Sequence, residues 1–259
     1  MTRKPKSPKP ERHKAILAQL RATPAIRINE LAASFAVSTE TIRRDLDEMS
    51  SAGLISRTYG GATGMLQLSE PSLNDRYGLK EAERNAMASA VSELVADGDS
   101  LMIDSGSTTV FVARRLAADR NNLTVVTNSI GVTAALATNP TIRVRLCPGD
   151  YDRNDGGVSG PDTVQYLGQF HVRHCIISAT RLDASGPSDL NPATIWVKRK
   201  MIENAGSSIL VLDHAKLGGA AFERICSLDD IDWLVTDRPP PEALMPALVA
   251  AGIRAKVAH

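Results

Sequence analysis

Apolar residues recur at the spacing of short helices over the first third of the chain, then gather into short runs that alternate with amphipathic stretches. RHKAILAQLRA carries Ile16, Leu17 and Leu20 at helical steps, and Thr23-Pro24 stops it. RINELAASFAVS sets Ile28, Leu31, Ala32 and Phe35 on one face before the pattern breaks at Ala36-Val37-Ser38. Ser38 is suited to cap a third helix, TETIRRDLDEMSS, in which Ile42, Leu46 and Met49 recur at steps of four and three, and Gly53 closes it. GLISRTYGGA then alternates around Leu54, Ser56 and Thr58, with a Gly-Gly that permits a tight turn, and predicts a small β-wing.

Residues 65–80 show no period and contain Pro71 and Gly78, the composition of a linker. From Glu81 a helical run reaches Ala96. After it come the strand-sized runs LMID, TVVTN, VRLC, CIISA, SILVLD and DWLVTD, separated by helix-like stretches such as TTVFVARRLAA and ATIWVKRKMIENA. Strand-helix alternation of this kind predicts an α/β domain over 81–259 with a mainly parallel sheet covered on both faces.

Composition narrows the setting. The chain has 259 residues, 43% hydrophobic and 23% charged, which suits a globular protein with a real core. No apolar stretch approaches the roughly 20 residues of a membrane helix, and the start is basic and proline-rich, so a cytoplasmic protein without membrane contact is expected. Cys147, Cys175 and Cys226 are scattered, which argues for buried small hydrophobes and against a disulfide framework or a zinc site. His171 and His174 share a helix-like spacing, but no third ligand stands nearby. Neither a metal nor a cofactor is expected.

Charge is unevenly divided. Residues 1–64 hold eleven Lys and Arg against six Asp and Glu, and the remainder holds nineteen against twenty-three. The positive end points to a polyanionic partner, although a basic, disordered leader over 1–11 supplies part of the excess. With Ile42, Leu46 and Met49 turned inward, Thr39, Glu40, Arg43 and Arg44 face outward near the start of the third helix. In a helix-turn-helix that part of the second motif helix meets base edges. Arg43 could then grip a guanine edge, Ser38 or Thr39 could reach a phosphate or a base, and Arg57 and Tyr59 on the wing could touch the neighbouring backbone. The competing reading is a solvated, salt-bridged helix, because Glu40–Arg44, Arg43–Asp47 and Arg44–Glu48 are all spaced for opposite-charge pairing.

The stretch INELAASFAVSTETIRRDLDEMSSAGLISRTYGGA resembles the winged helix-turn-helix signature of the DeoR family of bacterial transcriptional regulators. The resemblance implies a winged helix-turn-helix over 12–64 whose recognition helix runs from Ser38 to Ser50, with Arg43 and Arg44 as the family's paired arginines. The segment Thr41–Leu46 would face double-stranded operator DNA, Arg43 as base reader and Arg44 as phosphate clamp.

In the second region the polar residues fall at the carboxyl ends of the apolar runs, where open α/β sheets bind ligands: Asp104, Asn128, Gly149, Ser178 and Asp213. DSGSTT places Gly106, Ser107, Thr108 and Thr109 at a helix start, a phosphate cradle or an ordinary cap, without the lysine of a Walker loop. LDHAKLGG adds Lys216 and His214. DSGSTT, VVTNSI, VKRKM and LDHAKLG also resemble consecutive motifs of the family's C-terminal domain, whose fold is related to ribose-5-phosphate isomerase. That resemblance implies a phosphorylated-sugar effector, with Gly106–Thr109 on phosphate, Asp104 and Asn128 near the sugar, and Lys198, Asp213 and Lys216 around the opening. It implies a repressor of a carbohydrate operon, working as a dimer or tetramer. Family members carry Gly-Gly where this chain has Pro148-Gly149, and a glycine-rich phrase where it has SATRLDASGPSDLNP, which places these differences beside the sugar. The alternative is an isomerase-like enzyme with an accessory DNA-binding head and Asp104 as its base, but no second carboxylate is placed to complete that chemistry.

Overall fold

The computed structural model describes residues 8–22, 25–51, 55–58, 61–64, 73 and 80–258. The chain forms two compact units, Met1–Leu68 and Ser69–His259.

The first unit, the head, contains α1 (Lys9–Ala22), β1 (Ala25–Arg27), α2 (Ile28–Phe35), α3 (Thr39–Ser51), β2 (Ile55–Thr58) and β3 (Gly61–Gly64). The three strands pair antiparallel in the order β1-β3-β2. Ile16 from α1, Ile28 and Leu31 from α2, Ile42, Leu46 and Met49 from α3 and Ile55 from β2 bury together. Between α2 and α3 the chain turns at Ala36, whose φ is +52°, and the Val37 N–H donates to the Ala32 carbonyl at 3.1 Å. The Thr41 N–H donates to Ser38 Oγ at 3.1 Å, which is the expected cap of α3.

The leader was expected to run to residue 11, but α1 begins at Lys9, because proline is tolerated in a first turn and Lys9 and Arg12 are both held by carboxylates of α3. Residues 1–7 lie outside the described residues. Ala25-Ile26-Arg27 adds a third strand to the wing, too short for its alternation to show.

The second unit, the sensor, runs α4 (Glu81–Ser92), β4 (Ser100–Ile103), α5 (Ser107–Asp119), β5 (Thr124–Thr127), α6 (Ile130–Leu136), β6 (Arg143–Leu146), β7 (Asp150–Asp152), β8 (Gly157–Ser159), α7 (Pro161–Leu167), β9 (His174–Ile177), β10 (Arg181–Asp183), β11 (Gly186–Asp189), α8 (Pro192–Glu203), β12 (Ser208–Val211), β13 (Glu223–Arg224), β14 (Trp233–Thr236), α9 (Met245–Ala250) and β15 (Arg254–Val257). Seven strands form one parallel sheet in the order β15-β14-β12-β9-β4-β5-β6. Successive residues of a strand face opposite sides, so Leu101 and Ile103 enter one core while Met102 enters the other. The edge strands are the exceptions: β6 is largely exposed, which its short apolar run does not announce, and β15 has no fully buried residue.

Chain order reverses between β4 and β9. From β4 the sheet grows through β5 and β6, and from β9 it grows the other way. Two small antiparallel additions, β7-β8 and β10-β11-β13, were not anticipated from the sequence. Among the described residues no helix is long and apolar enough to cross a membrane.

Candidate functional site

In the head, α3 has a charged outer face and one charged residue turned inward. Arg43 and Arg44 are exposed, with side chains 57% and 78% accessible, and Glu40 lies 3.6 Å from each. Of the other two expected pairings on this helix, Glu48 instead accepts from Lys9 of α1 at 2.8 Å. Ser38 and Thr39 are exposed, and Ser38 Oγ lies 2.8 Å from Thr41 Oγ1, so both hydroxyls serve the start of the helix. Arg57 lies in β2 opposite Ala62, and Tyr59 lies outside the described residues.

Asp45 had not been singled out as functional. Its carboxylate is 4% accessible, and the Arg12 guanidinium, 7% accessible, grips it from α1. Arg12 Nε donates to Oδ2 at 2.5 Å and Nη2 to Oδ1 at 3.0 Å, while His13 Nε2 lies 3.1 Å from Oδ1. Burial raises the carboxyl's proton affinity, but hydrogen bonds from Arg12 and His13 outweigh it and leave the pKa below its ordinary value. A lone aspartate on a helix reads as a surface charge. Its one sequence signal is its place in the apolar stripe, three residues after Ile42 and one before Leu46.

In the sensor, a cleft opens at the carboxyl ends of β4 and β9, where the strand order reverses. The chain leaves β4 through Asp104 and Ser105 and turns at Gly106, whose φ is +149°. A Cβ there would sit 3.1 Å from Ser178 Oγ, so glycine lets the start of α5 approach the end of β9. Ser105, Gly106, Ser107 and Thr108 line one wall; Ser178, Ala179 and Thr180 line another, and Asp155, Asp189, Thr194, Lys198 and Lys216 complete it. Lys216 Nζ donates to the Ala179 carbonyl at 3.0 Å.

Lys198 is the electrostatic centre. It is buried, and its Nζ contacts Asp104 Oδ2 at 2.8 Å, Asp189 Oδ2 at 3.0 Å and the Ser178 carbonyl at 3.0 Å. Burial opposes its charge, but the two carboxylates prevail and raise its pKa, so it remains an ammonium. Asp189 is pushed up by burial, yet Lys198, the Thr180 hydroxyl and the Leu190 N–H bring it below its ordinary value. Asp104 goes the other way, because complete burial and the repulsion of Asp189 outweigh Lys198 and the Ser178 N–H. Its Oδ1 is buried without a hydrogen-bond partner. Two carboxylates thus share one ammonium, and one oxygen is left bare beneath the cleft wall.

Of the ten expected effector residues, Gly106, Ser107, Thr108, Lys198 and Lys216 line the cleft. The other five do not. Asp104 lies behind the wall and acts on it through Lys198 and Ser178. The Thr109 hydroxyl turns back to the Gly106 carbonyl at 3.0 Å. Asn128 is buried behind Ser105 and donates to the Val158 carbonyl at 3.0 Å. Gly149, with φ +144°, packs where a Cβ would meet Thr163 Oγ1 at 2.1 Å and Ser159 O at 2.6 Å, so its role is close packing. Asp213 caps the 3-10 turn His214–Lys216 and forms an ion pair with Lys80 at the start of α4. His214 Nδ1 lies 2.7 Å from Asp237 Oδ2, and His214 is not on the cleft lining. Asp155, Thr180, Asp189 and Thr194 were missed as cleft residues, and Asp189 comes from the SATRLDASGPSDLNP phrase that departs from the family pattern.

Among the described residues no group of three His, Cys, Asp or Glu could hold a metal ion. Cys147 and Cys175 are buried and Cys226 half-buried, and burial pushes the Cys147 and Cys226 thiols up to about 12.

The family described as DeoR-like helix-turn-helix domain matches residues 12–66, and the DeoR C terminal sensor domain matches residues 79–238. The chain belongs to the DeoR family. It is 32% identical over 239 residues to the glycerol-3-phosphate regulon repressor of Escherichia coli (strain K12), covering 92% of this chain and 94% of that one. It is 30% identical over 244 residues to the HTH-type transcriptional repressor GlcR of Bacillus subtilis (strain 168), covering 94% of each. A D-ribose-5-phosphate isomerase structure overlaps 53% of this chain and 54% of its own at 15% identity, with a TM-score of 0.41, too partial a likeness to carry chemistry across. This DeoR-family protein is a DNA-binding transcriptional regulator. Its named relatives are repressors, and the isomerase alternative is set aside on that ground.

Proposed function

We propose that this DeoR-family protein is a repressor that holds double-stranded operator DNA until a phosphorylated sugar enters the sensor cleft. In this reading 12–64 is the reading head, 65–80 the linker and 81–259 the effector domain. The observation that carries it is the convergence of Gly106, Ser107 and Thr108, at the start of the 13-residue α5, with Lys216 on one cleft at the reversal of strand order. A phosphate there gains backbone N–H groups, two hydroxyls, the positive helix end and a cation. Sugar hydroxyls would donate to the carboxylates of Asp189 and Asp155 across the cleft.

Space supports a response to binding. The cleft spans about 390 Å3 with its open mouth, but its room for solvent is only about 30 Å3. Ligand pockets measure roughly 300–1,000 Å3. An effector must therefore displace the rim, and two rim segments are tied to the chain that leads from the head. Asp213, three residues before Lys216, pairs with Lys80, and Gly156, beside Asp155, packs against Leu73. Moving the rim pulls on both ends of residues 73–80, and the effector acts by favouring the state that binds DNA poorly.

One three-helix head offers too little contact for high specificity, so the repressor works as a homo-oligomer in the cytoplasm. A panel of sugar phosphates tests the effector reading on the full chain. At least one should raise the sensor's melting temperature at millimolar concentration, and Thr108→Val should abolish the shift. The reading fails if none of the panel shifts the wild type.

A further inference from the structure

We propose that Arg12 and Asp45 are positioning residues for DNA recognition: their buried, two-pronged ion pair sets the rotation of α3 on α1 and so aims Arg43 and Arg44. The proposal goes beyond the effector reading and does not depend on it.

The other contacts that seat α3 are poorly suited to fixing its rotation, since Lys9–Glu48 is exposed to solvent and the rest are apolar. Ile42, Leu46 and Met49 pack through aliphatic surface, which is non-directional and tolerates sliding into alternative fits. The ion pair is directional. Two nitrogens of one planar guanidinium meet both oxygens of one carboxylate, at 2.5 and 3.0 Å, and His13 adds a third contact from the same helix. At 3.6 residues per turn, Asp45 is about 200° around the helix from Arg43 and about 100° from Arg44. Holding Asp45 against α1 therefore turns Arg43 to the far side of α3 and leaves both arginines exposed.

Stability alone does not account for such a pair. Burying two charges costs about what their attraction returns, and apolar replacements of similar volume are often as stable. What an apolar pair would not supply is a single register. The pair also sequesters one of the carboxylates of the helix, Asp45, which would otherwise add negative charge beside DNA phosphates.

The test uses the full chain, a duplex selected from a random pool by the wild-type protein, and an unselected duplex of equal length. Two variants are compared: Arg12→Met with Asp45→Leu, which makes the site apolar, and Arg12→Lys, which keeps the charge but cannot form the fork. Both should keep the head's melting temperature near wild type and bind the unselected duplex within about twofold. Affinity for the selected duplex should fall by about tenfold or more, the worth of one misplaced base contact. A merely structural pair would leave the ratio of the two affinities unchanged in any variant that still folds. An unchanged ratio in Arg12→Lys overturns the proposal, and that variant decides alone if the double variant unfolds.

Discussion

Both units of the molecule bury a cluster of opposite charges, and the two clusters are completed differently. In the head, Asp45 has both oxygens engaged by Arg12 and a third contact from His13. In the sensor, Asp104 and Asp189 share Lys198, and Asp104 Oδ1 has no partner. A closed pair holds two helices in one relation. The under-supplied cluster sets Asp189 on the cleft wall and leaves an unmet acceptor, Asp104 Oδ1, buried behind it. Polar burial is costly unless satisfied, and in the proposed reading the same chemistry would serve geometry in one unit and reception in the other.

The sharpest contrast should come from removing the cation in each cluster. Lys198→Met strands two buried carboxylates, and a loss of about 3–5 kcal/mol in sensor stability is expected at neutral pH. Arg12→Met strands one carboxylate that keeps His13 within 3.1 Å, and the head should lose less. Urea unfolding of each variant, followed by signals assigned to each unit, measures both. Equal losses would erase the distinction between the clusters.

Acid should probe the clusters more gently. Burial raises Asp45, but Arg12 and His13 bring its pKa below the ordinary 3.8, so its contribution is present above that value and is lost as pH falls through the folded value. Asp104 is raised, by burial first and then by Asp189, so its contribution is full below 3.8 and is lost as pH rises through the folded value. Asp189 has the head's sign, as do Glu93, Asp119 and Asp237 elsewhere in the sensor. As pH falls below about 4, the head should lose the contribution of Asp45, and Asp45→Asn should flatten that acid dependence, read from amide signals of the head; an unchanged acid dependence would contradict the assignment.

Much of this was legible beforehand, for reasons that particular residues make plain. Ile42, Leu46 and Met49 carry a helical period, and LMID, CIISA and SILVLD are apolar runs that only a doubly covered sheet can bury. The place of Gly106–Thr108 on the cleft wall follows from a glycine and hydroxyls set between a strand and a helix. The hidden parts lack any period. The strands β7, β8, β10 and β11 have three or four residues each and are rich in glycine, proline and aspartate, so their pairing is set by tertiary context. Those hairpins bring Asp155 and Asp189 to the cleft. Asp45 was hidden differently, since a charge on a helix is ordinarily solvated and only its partner on another helix explains its burial.

The most direct test of the central claim, that occupancy of the sensor cleft frees the head from DNA, is fluorescence anisotropy of a labelled operator duplex bound by the full chain and titrated with sugar phosphates. The account predicts that at least one compound returns the anisotropy to that of free DNA with wild type, while Thr108→Val stays bound at the same concentration. Persistent binding with every compound, or equal release from Thr108→Val, would contradict it.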